Sequence, residues 1–326
     1  MRCWAWFLPL FLLWPVGSEQ APLLLRARKL FSPVPIRMDG SRATPTPAQI
    51  DLGRVLFYEK QLSQNNTMSC NSCHDLRSGY GADGRPTSPG AVSGRGTRNA
   101  PSVYHAALHS SQFWDGRSPD VEDQAQFPVL NAVEMAMSSP AEVEKRLAAQ
   151  PEYRKLFAAA FPQDSNPVRW SRVLQALGAF ERGLVTPGPF DRYLQGDEQV
   201  LDASQLRGFE HFLRLGCAEC HNGPALGGVS LQKLGRKQAF ASQDRGRYAF
   251  THKASDDGVF KVASLRNVCE TAPYFHDGRV RKLDEAVSLM AEHECGQSLS
   301  PQELAELCDF LTSLTGQVPL DYVRSP

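Results

Sequence analysis

The sequence predicts a mainly α-helical protein made of two similar halves. Apolar residues recur at helical spacing in several segments, whereas runs with the alternation of a β-strand are sparse. The motif C-x-x-C-H occurs twice, as CNSCH at residues 70–74 and as CAECH at residues 217–221. A helical pattern precedes each copy, so we expect the same unit, a helix followed by this motif, in both halves.

The length and charge of the chain indicate its number of domains and exclude some kinds of partner. The chain has 326 residues, which favours two domains. Lys and Arg together number 35, as do Asp and Glu, so the formal net charge is zero. No basic stretch indicates a nucleic-acid partner, and no acidic tail indicates disorder.

The first twenty residues have the pattern of a cleaved secretory signal. MRCWAWFLPLFLLWPVGSEQ carries Arg2, then an apolar run from Trp4 to Trp14, then small and polar residues. This run is shorter than the roughly 20 residues of a membrane-spanning helix, and no later segment is long and apolar enough to span a bilayer. We therefore expect residues 1–20 to be a signal peptide and the mature chain to be periplasmic.

The two halves are predicted to divide at residue 188. The N-terminal domain, 21–188, begins with an irregular Pro-rich stretch at 21–45. The C-terminal domain, 189–326, is entered through a helix-breaking linker at 186–200. A loop rich in Gly, Ser and Pro at 79–100 is expected on the surface. Helices are predicted at 48–58, 140–161 and 170–184, from Asp202 to the second motif, at 283–294, and from Pro301 to Gly316.

Two of these helices have recognisable start signals. Asp202 is a capping residue ahead of an apolar stripe. Ser300 and Glu303 form a capping box, with Pro301 at the first helical position.

Two cysteines at positions i and i+3, followed by a histidine, form the covalent attachment site of a c-type haem. The thiols reach the two vinyl groups of one porphyrin, and the histidine coordinates the iron. A zinc site would need two more ligands at close spacing, which neither motif has. We therefore expect two covalently bound haem c groups, on Cys70, Cys73 and His74 and on Cys217, Cys220 and His221.

The axial ligands of the iron govern the function of each haem. Met290 is the single methionine after His221 and lies 69 residues beyond it. A His and Met pair raises the reduction potential, so we expect this haem to store electrons. His276 and His293 are the competing ligands.

The residues alone leave the sixth ligand of the first iron open. Met135 and Met137 lie at a suitable distance along the chain, with Glu134 beside them. His105 and His109 are further candidates. Both a closed electron-transfer haem and an open reactive haem are compatible with this set.

Three cysteines lie outside the signal and the two motifs, namely Cys269, Cys295 and Cys308. Cys295 and Cys308 flank a helix start, and thiols pair in oxidising compartments. A disulfide between these two is one hypothesis. The alternative is that Cys308 packs on the apolar face of the last helix as a small apolar residue.

The chain resembles the bacterial di-haem cytochrome c peroxidases, the superfamily that also contains the MauG-type enzymes. The resemblance covers nearly all of the mature chain. It rests on SCNSCHDL, TRNAPSVYHAALHSSQFWDGR, NAVEMAM, TPGPFDRYLQGD, GCAECHNGPALGG and LRNVCETAPYFHDGRVRKLDEAVSLM. It implies two cytochrome c-like haem domains, the first with a peroxide-reactive haem and the second with an electron-transfer haem.

The resemblance also implies the roles of individual residues. His74 is the implied proximal ligand of the reactive, low-potential haem. His221 and Met290 are the implied ligands of the high-potential haem. In the distal pocket, Glu134 is the implied acid/base and Gln124 its companion.

The region between the two haems is implied in the same way. Trp114 is expected on the electron path. Asn99, Thr271 and Pro273 match the calcium site of the family, where backbone carbonyls suit a hard cation. Met135 flanks the distal acid and is therefore not expected to be an iron ligand.

One position departs from the family pattern. Many members carry a histidine in the Gly-rich loop, and it blocks the reactive iron until the other haem is reduced. Alignment on TSPGAVSGRGTRN places Ala91 there, and no histidine lies between His74 and His105. The first iron is therefore expected to be open in the oxidised protein.

The resemblance implies a peroxidase that reduces H2O2 to water with electrons from a small c-type cytochrome or cupredoxin. The alternative is a MauG-like enzyme that uses H2O2 to oxidise a tryptophan of a partner protein. Ala91 favours this alternative, whereas Met290 argues against it because MauG itself has a tyrosine as that ligand. A plain electron carrier is a third interpretation, which rapid reaction with H2O2 would exclude. A homodimer is one of the assemblies that the sequence allows.

Overall fold

The computed structural model describes residues 20–39 and 43–326. The predicted signal peptide, residues 1–20, lies outside these ranges except for its last residue. Within the described ranges, no helix is both long enough and apolar enough to cross a membrane.

The described residues form eleven α-helices and one two-stranded sheet, which confirms the mainly α-helical prediction. The helices are α1 (Gln20–Leu30), α2 (Pro47–Tyr58), α3 (Val121–Leu130), α4 (Pro140–Ala149), α5 (Pro151–Ala160), α6 (Trp170–Glu181), α7 (Pro189–Gln195), α8 (Ala203–Arg214), α9 (Tyr248–Thr251), α10 (Leu283–Met290) and α11 (Pro301–Thr312). Strands β1 (Leu231–Lys233) and β2 (Val259–Lys261) pair antiparallel, with Gln232 opposite Phe260. Each C-x-x-C-H motif begins with a short 3-10 turn.

The first hydrophobic core lies where α2 crosses α6. Leu52 and Leu56 of α2 are fully buried there, as is Phe180 of α6. Gly53 allows the close approach, because a Cβ atom at this position would lie 1.9 Å from the carbonyl oxygen of Ala176. Helices α3, α4 and α5 pack their apolar faces against the same core.

The second core repeats this arrangement with α8 and α11. A Cβ atom on Gly208 would lie 1.8 Å from the carbonyl oxygen of Glu306, so these helices also cross at a glycine. The rings of Phe190, Phe209 and Phe310 fill the core, with centroids 5.1 to 5.4 Å apart. In both halves, the helix that carries the glycine leads into a C-x-x-C-H motif.

The stretch 21–45 was predicted to be irregular, but its first part is helical. It begins within α1, and Leu23, Leu24 and Ala27 of this helix are buried in the second core. An apolar face on a short segment is enough to form a helix when a partner surface covers it. The start of the described chain therefore packs with the half that follows residue 189.

Two other element predictions are corrected by prolines. The helix predicted at 140–161 is two helices, because Pro151 begins α5 and has no N–H to continue α4. The predicted linker at 186–200 contains α7, which starts at Pro189 and ends at Gly196 in a left-handed conformation.

The predicted helix starts are confirmed. The side chain of Asp202 accepts a hydrogen bond of 2.8 Å from the N–H of Gln205, and Ser300 forms the predicted capping box with Glu303. The last helix ends at Thr312 rather than Gly316. The helix predicted at 283–294 is α10, followed by a π-helical turn over Ala291–Cys295.

Candidate functional site

One large cavity lies between the two halves, with the first motif on its wall. Its volume is about 1000 Å³, at the upper end of the range for cofactor pockets. Two thiols and an imidazole on the wall of such a space fit a covalently attached porphyrin. The predicted site residues that line it are Cys70, Cys73, His74, Asn99, Trp114, Gln124, Glu134, Thr271 and Pro273.

The imidazole of His74 is oriented for metal ligation. Its Nδ1 atom lies 3.0 Å from the carbonyl oxygen of Gly81, an acceptor, so Nδ1 carries the proton and Nε2 keeps its lone pair. Burial lowers the pKa of His74 and so favours the neutral ring. A neutral histidine with a free Nε2 atom has the form that binds iron.

Glu134 lies in the turn that follows α3, and Gln124 lies on α3 itself. The side-chain amide of Asn131 donates a hydrogen bond of 2.8 Å to Oε1 of Glu134. Burial raises the pKa of Glu134, while this hydrogen bond and the charge of Arg117 oppose the rise. A carboxyl group with a raised pKa on a cavity wall is suited to proton transfer nearer neutral pH.

The Gly-rich loop is attached to the turn that carries Glu134. The N–H of Ala91 donates a hydrogen bond of 2.7 Å to the carbonyl oxygen of Glu134. The side-chain amide of Asn65 donates to the carbonyl oxygen of Ala91. Gly90 packs closely on the same turn, since a Cβ atom there would lie 2.5 Å from the carbonyl oxygen of Val133. The methyl group of Ala91 offers no atom that could bind a metal.

Trp114 is held between the halves by hydrogen bonds at both its ring and its main chain. Its Nε1 atom donates to the carbonyl oxygen of Asn99 at 2.9 Å. Its carbonyl oxygen accepts from the N–H of Lys261 at 2.7 Å. The ring also meets His276 edge-on, with the centroids 6.4 Å apart.

A short main-chain connection leads from Trp114 to the second motif. Lys261 lies two residues before Ala263, whose carbonyl oxygen is 3.1 Å from Nδ1 of His221. Hydrogen bonds at both ends of this segment therefore link Trp114 to the imidazole of His221.

The second motif holds its histidine in the same way as the first. Nδ1 of His221 also lies 3.2 Å from the carbonyl oxygen of Leu226, and burial lowers the pKa of the ring. Met290 is the last residue of α10 and is half-buried.

The competing histidines of the second half bind other groups. Nε2 of His276 lies 3.0 Å from the hydroxyl of Ser242, and its ring stacks on Phe260 at 4.2 Å. Nδ1 of His293 lies 2.9 Å from the carbonyl oxygen of Gln238. The contact at Nε2 argues against His276 as an iron ligand, whereas the Nδ1 contact of His293 leaves its Nε2 atom available. Met290 as the iron ligand therefore stays a prediction.

Each alternative histidine ligand of the first iron uses one ring nitrogen in a hydrogen bond, although the buried Nε2 atom of His109 has no partner among the described residues. Nε2 of His105 accepts a hydrogen bond of 3.0 Å from a backbone N–H. Nδ1 of His109 lies 3.1 Å from the ammonium nitrogen of Lys261. Met135 and Met137 are buried in the first core, although Met135 also lines the cavity.

The residues predicted to bind calcium meet at the same cavity. The side-chain amide nitrogen of Asn99 donates to the carbonyl oxygen of Arg85 at 2.9 Å, which leaves its Oδ1 atom for a cation. In the part of the chain that the structure describes, no three His, Cys, Asp or Glu side chains group as a metal site. A calcium ion would therefore depend on Asn99 and on carbonyl oxygens of Thr271 and Pro273.

The hypothesis of a disulfide between Cys295 and Cys308 is wrong. None of the seven described cysteines is paired in a disulfide. Cys295 lies in the π-helical turn, and both it and Cys217 of the second motif pack against the second core. Cys308 lies on α11, a separate element.

Comparison with known proteins gives the family of the chain. A model of the di-haem cytochrome c peroxidase family matches residues 47–199. The cytochrome c551 peroxidase of Pseudomonas aeruginosa is 42% identical over 301 residues, which cover 90% of this chain and 86% of that protein. The chain belongs to the di-haem cytochrome c peroxidase family. It is therefore an oxidoreductase, and membership implies haem c.

Relatives of this di-haem peroxidase include MauG proteins. The methylamine utilization protein MauG of Methylorubrum extorquens is 36% identical over 246 residues, covering 74% of this chain and 69% of that one. The crystal structure of a MauG-like protein associated with microbial copper homeostasis superposes with a TM-score of 0.78. It is 28% identical and covers 99% of both chains. The resemblance inferred from the sequence is confirmed.

Two cavity residues of this peroxidase were not singled out from the sequence. Glu181, on α6, is buried, and burial raises its pKa to about 8. Lys261, at the end of β2, is also buried. The available signal was a charge within an apolar run, in GAFERGL, where Arg182 follows Glu181, and in GVFKVAS for Lys261.

Proposed function

We propose that the protein reduces H2O2 to water in the periplasm, with electrons from a small c-type cytochrome or cupredoxin. The observation that carries this proposal is that His74 and Glu134 line one cavity and that burial raises the pKa of Glu134. The relatives named cytochrome c551 peroxidase support the substrate. The signal-like pattern of residues 1–20 supports the compartment.

The cavity residues have different roles in peroxide reduction. The haem that Cys70, Cys73 and His74 would hold supplies a redox-active iron. Glu134 takes a proton from one peroxide oxygen and delivers it to the other, which leaves as water. Gln124 helps to orient the peroxide with its side-chain amide. Two electrons and two further protons complete the conversion of H2O2 to two water molecules.

The second half supplies the electrons. His221 and Met290 would hold the haem that accepts them from the donor. Trp114 stands on the route to the cavity, and its hydrogen bond from Lys261 supports this role. A calcium ion bound by Asn99 and by neighbouring carbonyl oxygens would join the two halves.

The second candidate function is H2O2-dependent oxidation of a tryptophan in a partner protein. Ala91 favours it, because a first haem without a distal histidine is open in the oxidised state. The relatives favour the peroxidase, since the identity is 42% to a cytochrome c551 peroxidase and 36% to a MauG protein.

Steady-state H2O2 consumption with a reduced c-type cytochrome tests the proposal. Glu134→Gln should lower kcat/KM by roughly 10²–10⁴-fold, because it removes acid/base help while keeping the shape. Glu152→Gln, at an exposed position of the same half, is the matched control and should match wild type. The proposal fails if Glu134→Gln retains full activity, or if the wild-type protein oxidises no donor.

A further inference from the structure

Lys261 is a buried amine on the wall of the cavity. It is the last residue of β2, and only 8% of its surface is exposed. Its main-chain N–H donates a hydrogen bond to the carbonyl oxygen of Trp114. This bond holds Lys261 next to the proposed electron path between the two halves. The cavity that it lines is the one that holds His74, although Lys261 belongs to the second half.

Among the described residues, the hydrogen-bond partners of its ammonium group are neutral acceptors. Nζ donates to the carbonyl oxygen of Ser111 at 2.8 Å and lies 3.1 Å from Nδ1 of His109. Burial and the nearby ammonium lower the pKa of His109 well below its ordinary value, so its ring is a neutral acceptor. An ammonium has three N–H donors, and these contacts use two of them.

No carboxylate among the described residues forms an ion pair with Lys261. The acid whose charge acts on it is Asp115, which is already bridged by Arg98 at 2.7 Å and by Arg117 at 2.8 Å. Burial lowers the pKa of Lys261 to about 7, because an ammonium without a counter-ion is costly away from water. Lys261 therefore has no ion-pair partner of its own among the described residues.

We propose that Lys261 forms an ion pair with a propionate carboxylate of the haem attached at Cys70 and Cys73. A porphyrin of this type brings its own carboxylates into the cavity, and Lys261 is the buried cation there without a counter-ion. Cys70, Cys73 and His74 line the same cavity, whereas Cys217, Cys220 and His221 do not. The second half thereby holds the cofactor of the first. The inference rests on haem attachment at the first motif and not on peroxide chemistry.

Midpoint potentials of the two haems, measured separately by spectroelectrochemistry at one pH, test the ion pair. A cation beside a propionate stabilises the ferrous state, which has one positive charge less than the ferric state. Lys261→Met should therefore shift the potential of the first haem to a lower value, and shift it more than that of the second haem. Lys261→Arg should restore most of the difference. Lys253→Met, at an exposed lysine of the same half, should leave both potentials at the wild-type values.

Two results would overturn the assignment. One is that Lys261→Met and Lys253→Met have equal potentials, and the other is that the second haem shifts more than the first.

If Lys261→Met fails to mature with two haems, the wild-type protein still provides a test. Redox-difference infrared spectra with isotope-labelled propionates should show one carboxylate band displaced from the position of solvated propionates. Solvated positions for all four carboxylates would reject the ion pair. Because neither readout uses turnover, failure of the proposed peroxidase activity would leave this inference standing.

Discussion

The N–H of Ala91 donates a hydrogen bond of 2.7 Å to the carbonyl oxygen of Glu134. The position at which many family members carry an iron-binding histidine is thus tied directly to the proposed acid/base. This main-chain bond is independent of the side chain at position 91. The Gly-rich loop can therefore stay attached to the turn that carries Glu134 without supplying an iron ligand.

The first prediction is that the fully oxidised protein reacts with stoichiometric H2O2 without prior reduction. No side chain at position 91 has to leave before peroxide enters. Ala91→His should make the reaction depend on a preceding one-electron reduction. Val92→His, at an exposed neighbouring position, is the control and should react like wild type. Stopped-flow absorbance in the Soret region is the measurement.

If the oxidised wild-type protein is inert until one electron is added, then another residue closes the first haem. The residues to examine next would be those left open by the sequence, Met135, Met137, His105 and His109.

The second prediction concerns the spin states of the two haems. The oxidised protein should show one high-spin haem and one low-spin haem with His and Met ligands, measured by electron paramagnetic resonance. Met290→His should lower the potential of the second haem while covalent attachment is kept, because a thioether ligand raises the potential. Met137→Leu, in the first core, should change neither signal. Two low-spin signals in the resting protein would contradict the open first site.

The third prediction follows from the buried carboxyl group of Glu181. Its pKa is raised from 4.5 to about 8, so the folded protein keeps a proton that the unfolded chain loses. This contribution to stability is fully present below pH 4.5 and is lost as pH rises through about 8. The free energy of unfolding should therefore fall between these values, by an amount on the order of a few kcal/mol.

Glu181→Gln should flatten this dependence, because an amide does not titrate. Denaturant unfolding at several pH values, compared with Glu152→Gln as an exposed control, measures the effect. An unchanged slope in Glu181→Gln would assign the dependence to another group.

The fourth prediction concerns the glycine at the crossing of α8 and α11. Gly208→Ala should destabilise the protein by about 1–3 kcal/mol, because the added Cβ meets the carbonyl oxygen of Glu306 and forces the helices apart. Gly96→Ala is the control, since the nearest atom to its Cβ would lie at 3.7 Å and its backbone is not left-handed. Thermal unfolding of both variants provides the comparison, and equal melting temperatures would contradict the prediction.

Features that depend on local chemistry could be predicted from the order of residues along the chain. Spacing alone identified both C-x-x-C-H motifs, and periodicity with capping residues located α2, α6, α8 and α11. The two errors in predicting helices also have local causes. The helix predicted at 140–161 was not divided at Pro151, and the stretch 21–45 was predicted to be irregular because of its prolines. The apolar face of α1 is covered by the second core, which is built by residues far along the chain, so local rules could not predict this helix.

Which residues share the cavity depends on long-range packing, which the order of residues does not reveal. His74, Trp114, Glu134 and Pro273 come from distant segments, and their predicted proximity depended on a resemblance rather than on spacing. Lys261 had only one signal in the sequence, a charge within the apolar run GVFKVAS, and a lysine at the end of a strand is ordinarily solvated. Its burial, its neutral neighbours and its place beside Trp114 arise from packing between the two halves. Long-range packing sets which polar groups lose water, and that loss of water determines their charge and chemistry.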